Sequence, residues 1–115
     1  MIKQGAIGWL DLEPQIGNEP YKRRPVVIVS NKDYHKLVGN RMAMICPITS
    51  QKKNFVMNIA LNNKTGTQGY IQAADVKVLD IGARKYEYIE DLPESILFHV
   101  LDMVGGISQY VSENS

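Results

Sequence analysis

The sequence predicts a mainly β protein, a small barrel or sandwich, with one C-terminal helix. Two apolar runs, Arg24–Ser30 and Met42–Ile48, are rich in valine, isoleucine or methionine, as buried strands are. Turn-forming residues recur about every ten residues through the first two-thirds of the chain, which is typical of short strands in small barrels. Apolar residues recur at helical spacing over Pro93–Val104, which predicts the helix.

In chain order, the first predicted strand is Ala6–Leu12, which is apolar apart from Asp11 and carries Trp9 as its largest side chain. The runs 24–30 and 42–48 form the second and third strands. Pro47 predicts a bend or a sheet edge near the end of the third strand, because proline donates no hydrogen bond. We expect Trp9 in the core or at a dimer interface.

Shorter strands follow. Asn54–Leu61 is the fourth, and the turn-rich segment Asn62–Gly69 connects it to Tyr70–Ala74. Val76–Leu79 either continues that strand after a bend at Asp75 or forms the next one.

Two segments are predicted to be helical. Asn31–Val38 begins with a capping asparagine and stops at Gly39. The C-terminal helix begins at Pro93, which suits a first helical position, and is expected to end at Gly105-Gly106.

Composition bounds the function. A chain of 115 residues predicts a single domain, 1–115. The net charge of +1 provides no global field for nucleic acid, so any such binding needs local basic patches. Cys46 is the only cysteine, which fits a reducing cytoplasm. The first 14 residues lack the apolar core of a signal peptide, and no apolar run approaches the roughly 20 residues that cross a bilayer. We therefore expect a soluble, cytoplasmic protein.

Two segments could carry chemistry. Lys22-Arg23-Arg24 precedes the apolar run Pro25–Val29, and an arginine held at the mouth of a strand matches phosphate oxygens in a bidentate way. The alternative is that these cations only guard a strand edge against pairing. The run Cys46–Gln51 ends in three uncharged hydrogen-bonding side chains. A fixed cation beside such groups suits phosphodiester chemistry without a metal. We expect no cofactor, and the histidines and the cysteine show no metal-ligand spacing.

Several motifs, taken together, resemble the MazF/PemK family of toxin–antitoxin ribonucleases. The similarity runs from about Lys3 to Val104, and the stretch 82–97 is similar to PemK-like members in particular. The motifs are a strand opening on glycine (Gly5–Pro14), Gly17-x-Glu19, Arg24-Pro25 before apolar residues, Pro47-Ile48-Thr49, and Asp75–Arg84.

The resemblance implies a small SH3-like antiparallel barrel of the CcdB/MazF type, a C-terminal helix and a homodimer. It implies the toxin of a type II toxin–antitoxin system, which cuts single-stranded RNA at short sequences without a metal and arrests growth. A cognate antitoxin protein would wrap the dimer and fill its RNA groove. DNA would be bound only indirectly, through the antitoxin, and no membrane is involved.

By the same resemblance, the catalytic arginine is Arg24, the catalytic threonine is Thr49 and the acidic residue of the preceding loop is Glu19. Arg24 would stabilise charge on the phosphorane and Thr49 would donate to a phosphate oxygen. Glu19 is a better general base than arginine, which does not deprotonate. His35 has a suitable pKa but is expected, like His99, on the surface. The expected products carry a 2′,3′-cyclic phosphate and a 5′-hydroxyl.

RNA contacts are expected around this centre, through base stacking and phosphate binding. The candidates are Tyr21, Lys22, Arg23, Ser50, Gln51, Lys52, Lys53 and Asp75.

The chain departs from the family pattern twice. Pro20-Tyr21-Lys22 stands where the family often has a glutamine and a glycine, and Ala74-Asp75-Val76 stands where it commonly has an acidic residue, glutamine and valine. Either Asp75 takes the acidic role from the next position, or that role is absent.

Two other functions stay open. One is a CcdB-type toxin that binds a topoisomerase, a class that does not need the pair of Arg24 and Thr49. The other is a member that binds RNA or a partner without catalysis, which the two departures allow.

Overall fold

The computed structural model describes residues 2–13, 22–52 and 55–113. Within these ranges the chain forms seven strands and two α-helices, with a short 3-10 turn at Ala73–Asp75. The elements are β1 (Ala6–Glu13), β2 (Lys22–Ile28), α1 (Lys32–Leu37), β3 (Met42–Thr49), β4 (Asn58–Ala60), β5 (Tyr70–Gln72), β6 (Lys77–Asp80), β7 (Glu87–Asp91) and α2 (Glu94–Ser108). No helix in the described part of the chain is long and apolar enough to cross a membrane.

The strands form one antiparallel sheet in the order β4-β5-β3-β2-β1-β7, and β6 pairs with the first half of β3. Among the described strands no pairing joins the two ends of this order, so the sheet is barrel-like but open. The prediction of a mainly β, barrel-type fold with a C-terminal helix is confirmed.

Side chains of the three central strands alternate between two apolar clusters, one on each face of the sheet. Ile7, Val27 and Cys46 pack on the face that α2 covers, and Val26 and Ile45 pack on the opposite face. Because both faces are covered, the strands are continuous apolar runs rather than alternating ones. This explains why β2 and β3 are readable from sequence.

The sheet edge predicted near Pro47 is local, because the residue is paired with a described strand on one side only. Pro47 lies within β3 and is paired with Val26 of β2. On its other edge β3 pairs with β6 up to Ile45 and with β5 from Ile48. The missing N–H of Pro47 therefore falls in the gap between two partners, where it costs no ladder hydrogen bond.

Three boundaries differ from prediction. β4 covers only Asn58–Ala60 of the predicted 54–61, and β5 gives way to the 3-10 turn at Ala73. Helix α2 continues through Gly105 and Gly106 to Ser108. A Cβ added at either glycine would meet no atom within 4 Å, so these glycines lie in an exposed last turn instead of ending the helix.

Helix α1 confirms its prediction, since the Asn31 side chain accepts the Tyr34 N–H at 3.0 Å and caps the first turn. Strand β7 was not predicted. Its sequence, EYIED, is polar because it pairs only with β1 among the described strands and leaves Glu87 and Tyr88 exposed.

Candidate active site

Arg24 and Thr49 stand on neighbouring strands, each two residues beyond the last pair between β2 and β3, Val26 with Pro47. Past that pair β2 stays paired with β1 through Arg24 and β3 pairs with β5 through Thr49. Successive side chains alternate between faces, so a shift of two residues keeps the pair on one side of the sheet. Both residues line a cavity of about 500 Å³, which we call the cleft. The cleft is lined by Trp9, Arg23, Arg24, Pro25, Ile48, Thr49, Ser50, Gln51, Gly66, Thr67 and Gln68.

The two neighbouring arginines differ in their partners. Arg23 donates to the buried carboxylate of Asp11 at 2.9 Å and to the carbonyl of Lys85 at 3.0 Å. Among the described residues the Arg24 guanidinium has no hydrogen-bond or ion-pair partner. The donors of Arg24 are therefore available to an anion, whereas those of Arg23 are partly used within the fold.

Thr49 ends β3 in a closely packed position. Its side chain is buried, with only 7% of the residue exposed. Its Oγ1 accepts the Gln51 N–H at 3.2 Å, which bends the chain away after the strand and leaves the hydroxyl proton able to donate. Ser50 and Gln51 follow as exposed residues that line the cleft.

A glycine directly before β5 permits the close packing of Thr49. Gly69 has φ +124°, and a Cβ built on it would lie 2.3 Å from the carbonyl oxygen of Thr49. Only glycine allows both this backbone conformation and this approach. The next residue in the chain, Tyr70, is paired with Thr49.

A second, smaller cavity of about 180 Å³ adjoins the cleft at Arg24. Asp75, Lys22 and Lys77 line it together with Arg24. The structure thus brings Asp75 into a cavity that shares Arg24 with the cleft.

Three predicted site residues, Glu19, Tyr21 and Lys53, lie outside the described residues. Lys52 is exposed and lines neither cavity. No carboxylate of the described residues lines the cleft, so Glu19 stays a prediction as general base. The described residues also contain no group of three or more His, Cys, Asp or Glu that could hold a metal ion.

Sequence reasoning missed two parts of the cleft wall. Gly66, Thr67 and Gln68 line it from the connection between β4 and β5, which the turn residues had marked only as a loop. Trp9 also lines the cleft and is 39% exposed, so the expectation of a core position is wrong. Trp9 pairs with Pro25 across β1 and β2, which sets its position beside Arg24.

His35 is not a surface residue, contrary to prediction. It is 2% exposed, and its Nε2 lies 2.6 Å from Ser30 Oγ, which also accepts the Met44 N–H at 2.9 Å. Burial lowers the pKa of His35. Since it lines neither cavity at the site, it is not placed to act as a base there. His99 is exposed as expected.

Cys46 is fully buried. Burial raises the pKa of its thiol to about 12. The thiol is therefore neutral at physiological pH and lacks the thiolate character of a nucleophile.

The chain is similar in sequence and fold to known proteins. The chain is 27% identical to "Endoribonuclease PemK" of Escherichia coli over 111 residues, which cover 92% of this chain and 81% of that protein. The MazE–MazF crystal structure (form II) from Deinococcus radiodurans superposes with a TM-score of 0.82 at 28% identity, covering 92% of this chain and 94% of that one. A mycobacterial endoribonuclease in complex with its cognate antitoxin has a TM-score of 0.72 at 14% identity, covering 96% and 97% of the two chains, and it supports the fold alone.

A family match also covers most of the chain. Residues 3–106 match the family described as PemK-like, MazF-like toxin of type II toxin–antitoxin system. This range contains both Arg24 and Thr49 and every described strand. The chain therefore belongs to the PemK-like, MazF-like family of type II toxin–antitoxin toxins.

Proposed function

We propose that this toxin is an endoribonuclease that cuts single-stranded RNA without a metal, and that Arg24 and Thr49 act on the scissile phosphate. The observation that carries the proposal is that Arg24 and Thr49 line one cleft, with no described partner for the guanidinium. A relative named as an endoribonuclease supports the reaction class.

The proposed reaction is an internal transfer at phosphorus. The 2′-oxygen loses its proton to a base and forms a bond to the adjacent phosphorus, while the bond from phosphorus to the 5′-oxygen breaks. The 5′-oxygen takes up a proton as it leaves. The products are a 2′,3′-cyclic phosphate and a 5′-hydroxyl, and no oxidant, reductant or further reactant is consumed.

Arg24 and Thr49 would stabilise the charge that builds on the non-bridging oxygens. A fixed guanidinium presents parallel N–H donors to two oxygens, and the Thr49 hydroxyl adds a further donor. Such groups act by electrostatic preorganisation, and removing one donor typically costs about 10²–10³ in rate. We assign the base to Glu19, or to Asp75, which lies beside Arg24 in the second cavity.

The proposal includes a protein partner and a dimer. The solved MazE–MazF complex supports an antitoxin for this chain as well. We propose that this antitoxin covers the cleft of a homodimer, and that DNA is contacted only through the antitoxin.

Cleavage of a long single-stranded RNA in EDTA tests the proposal. We expect discrete cuts by the antitoxin-free wild type and their loss in Arg24→Ala. Arg41→Ala is the matched control, because Arg41 is an exposed arginine paired with Asp80 at the other end of β3. Absence of cleavage by folded wild type would refute the proposal and favour a protein target, such as a topoisomerase, or a non-catalytic RNA-binding role.

A further inference from the structure

One wall of the cleft is fixed by a carboxylate that is distant in sequence. Glu90 of β7 accepts the Gly66 N–H through Oε1 at 3.0 Å. Its Oε2 accepts the Thr67 N–H at 2.8 Å and the Thr67 hydroxyl at 2.7 Å. Both partners line the cleft, so Glu90 ties the edge strand of the sheet to the wall facing Arg24.

Hydrogen bonds within the loop between β4 and β5 also hold this wall in place. Thr65 is only 4% exposed, and its Oγ1 bonds the carbonyl of Thr67 at 2.7 Å. The Lys64 N–H donates to the Asn62 side chain at 2.9 Å. The three donors on Glu90 lower the pKa of its carboxyl, so it is ionised at neutral pH and its hydrogen bonds are charge-assisted.

This arrangement leaves Gln68 as the uncommitted polar side chain of the wall. Gln68 is exposed, lines the cleft, and has one long contact, from Nε2 to the Thr65 carbonyl at 3.5 Å. The N–H groups of Gly66 and Thr67 are both used by Glu90. A side-chain amide carries donors and an acceptor, which can pair with the edge of an unstacked RNA base.

We propose that Gln68 reads a base of the RNA next to the scissile phosphate, and that Glu90 is the positioning residue that holds Gln68 there through Gly66 and Thr67. This inference rests on the proposed function. It adds a specificity-determining wall to the site, formed by Gly66, Thr67 and Gln68.

The cut-site profile on one long RNA tests this inference. Gln68→Ala should relax base preference at one position near the cut, by about tenfold or more, chiefly by slowing cleavage at the preferred site. Glu90→Gln keeps the shape but cannot accept three hydrogen bonds, so it should relax the same position. It should also raise KM about tenfold with a smaller change in kcat. Glu94→Gln, an exposed glutamate at the start of α2, should match wild type.

Thr67→Val covers the case in which Glu90→Gln fails to fold, because it removes one donor to Glu90 and keeps the side-chain shape. A thermal melt verifies the folding of each variant. An unchanged profile in Gln68→Ala would overturn the base-reading role. Equal KM values and profiles for wild type, Thr67→Val and folded Glu90→Gln would overturn the positioning role.

A binding measurement separates this inference from the proposed function. If wild type binds RNA but does not cleave it, fluorescence anisotropy with 2′-O-methyl oligonucleotides of each base measures base recognition by this wall without cleavage. A base preference that disappears in Gln68→Ala would support the inference without catalysis. Equal affinity of wild type for all four oligonucleotides would overturn it.

Discussion

Arg24 and Thr49 line one cleft, each two residues beyond the last pair between β2 and β3, Val26 with Pro47. The strands on which they stand are buried on both faces up to that pair. Well-packed strands therefore hold a cation and a hydroxyl in the same cleft, which is the preorganisation that charge stabilisation requires. The adjacent Arg23 is held by Asp11, so Arg24 alone of the two presents an unshared guanidinium among described residues.

Thr49 should depend on its hydroxyl and not on its size. Thr49→Ala removes the donor and should reduce kcat by about 10²–10³. Thr49→Ser keeps the hydroxyl and the contact with the Gln51 N–H, so it should remain within about tenfold of wild type. Single-turnover cleavage of one short RNA provides both rates. Equal activity of the alanine and serine variants would show that the hydroxyl has no role in the rate.

Gly69 should be intolerant of any side chain. Gly69→Ala places a Cβ against the Thr49 carbonyl in a backbone conformation of φ +124°, and we expect a loss of about 3 kcal/mol or more in the free energy of unfolding. Gly39→Ala is the matched control, since Gly39 also has positive φ but nothing within 4 Å. It should cost only about 1–2 kcal/mol. Urea unfolding compares the two, and equal losses would mean that contact with Thr49 is unimportant.

His35 should make stability depend on pH. Burial lowers its pKa in the folded state below the ordinary 6.5, so the unfolded chain binds the proton more readily. Its stabilising contribution is complete above about pH 6.5 and decreases as the pH falls towards the folded pKa. The lowered carboxyl pKa values of Asp80, Glu90 and Asp91 act at more acidic pH, below their ordinary 3.8–4.5.

The measurement for His35 is the melting temperature between about pH 7.5 and 5.5. Wild type should lose stability over this range, and His35→Gln should lose distinctly less. His99→Gln, at an exposed histidine, should follow the wild-type curve. A His35→Gln curve parallel to wild type would contradict the assignment.

The sequence predicted the parts of the fold whose causes are local. β2 and β3 were readable because both of their faces are buried, and α1 because Asn31 caps it. β7 was missed because an edge strand with Glu87 and Tyr88 exposed has no apolar pattern. His35 was misplaced because the short helix around it is otherwise mostly exposed, and only the Ser30 contact shows its burial.

The sequence predicted the chemical types of the central site residues but not the residues that form the walls of the cleft. Arg24 and Thr49 stand out as a cation and a hydroxyl at the ends of apolar runs, and the family resemblance paired them. The wall containing Gln68 depends on Glu90, which lies 24 residues from Gly66 along the chain. No local pattern in the sequence indicates that contact.

The most direct test of the central claim is a double-mutant cycle on the rate of RNA cleavage in EDTA. It compares wild type, Arg24→Ala, Thr49→Ala and the double variant. Groups that act on one phosphate are strongly non-additive. The account predicts that each single variant loses about 10²-fold or more in kcat, and that the double variant is little slower than the worse single variant. Losses that multiply independently, or single variants that cleave at the wild-type rate, would contradict the claim that Arg24 and Thr49 share the scissile phosphate.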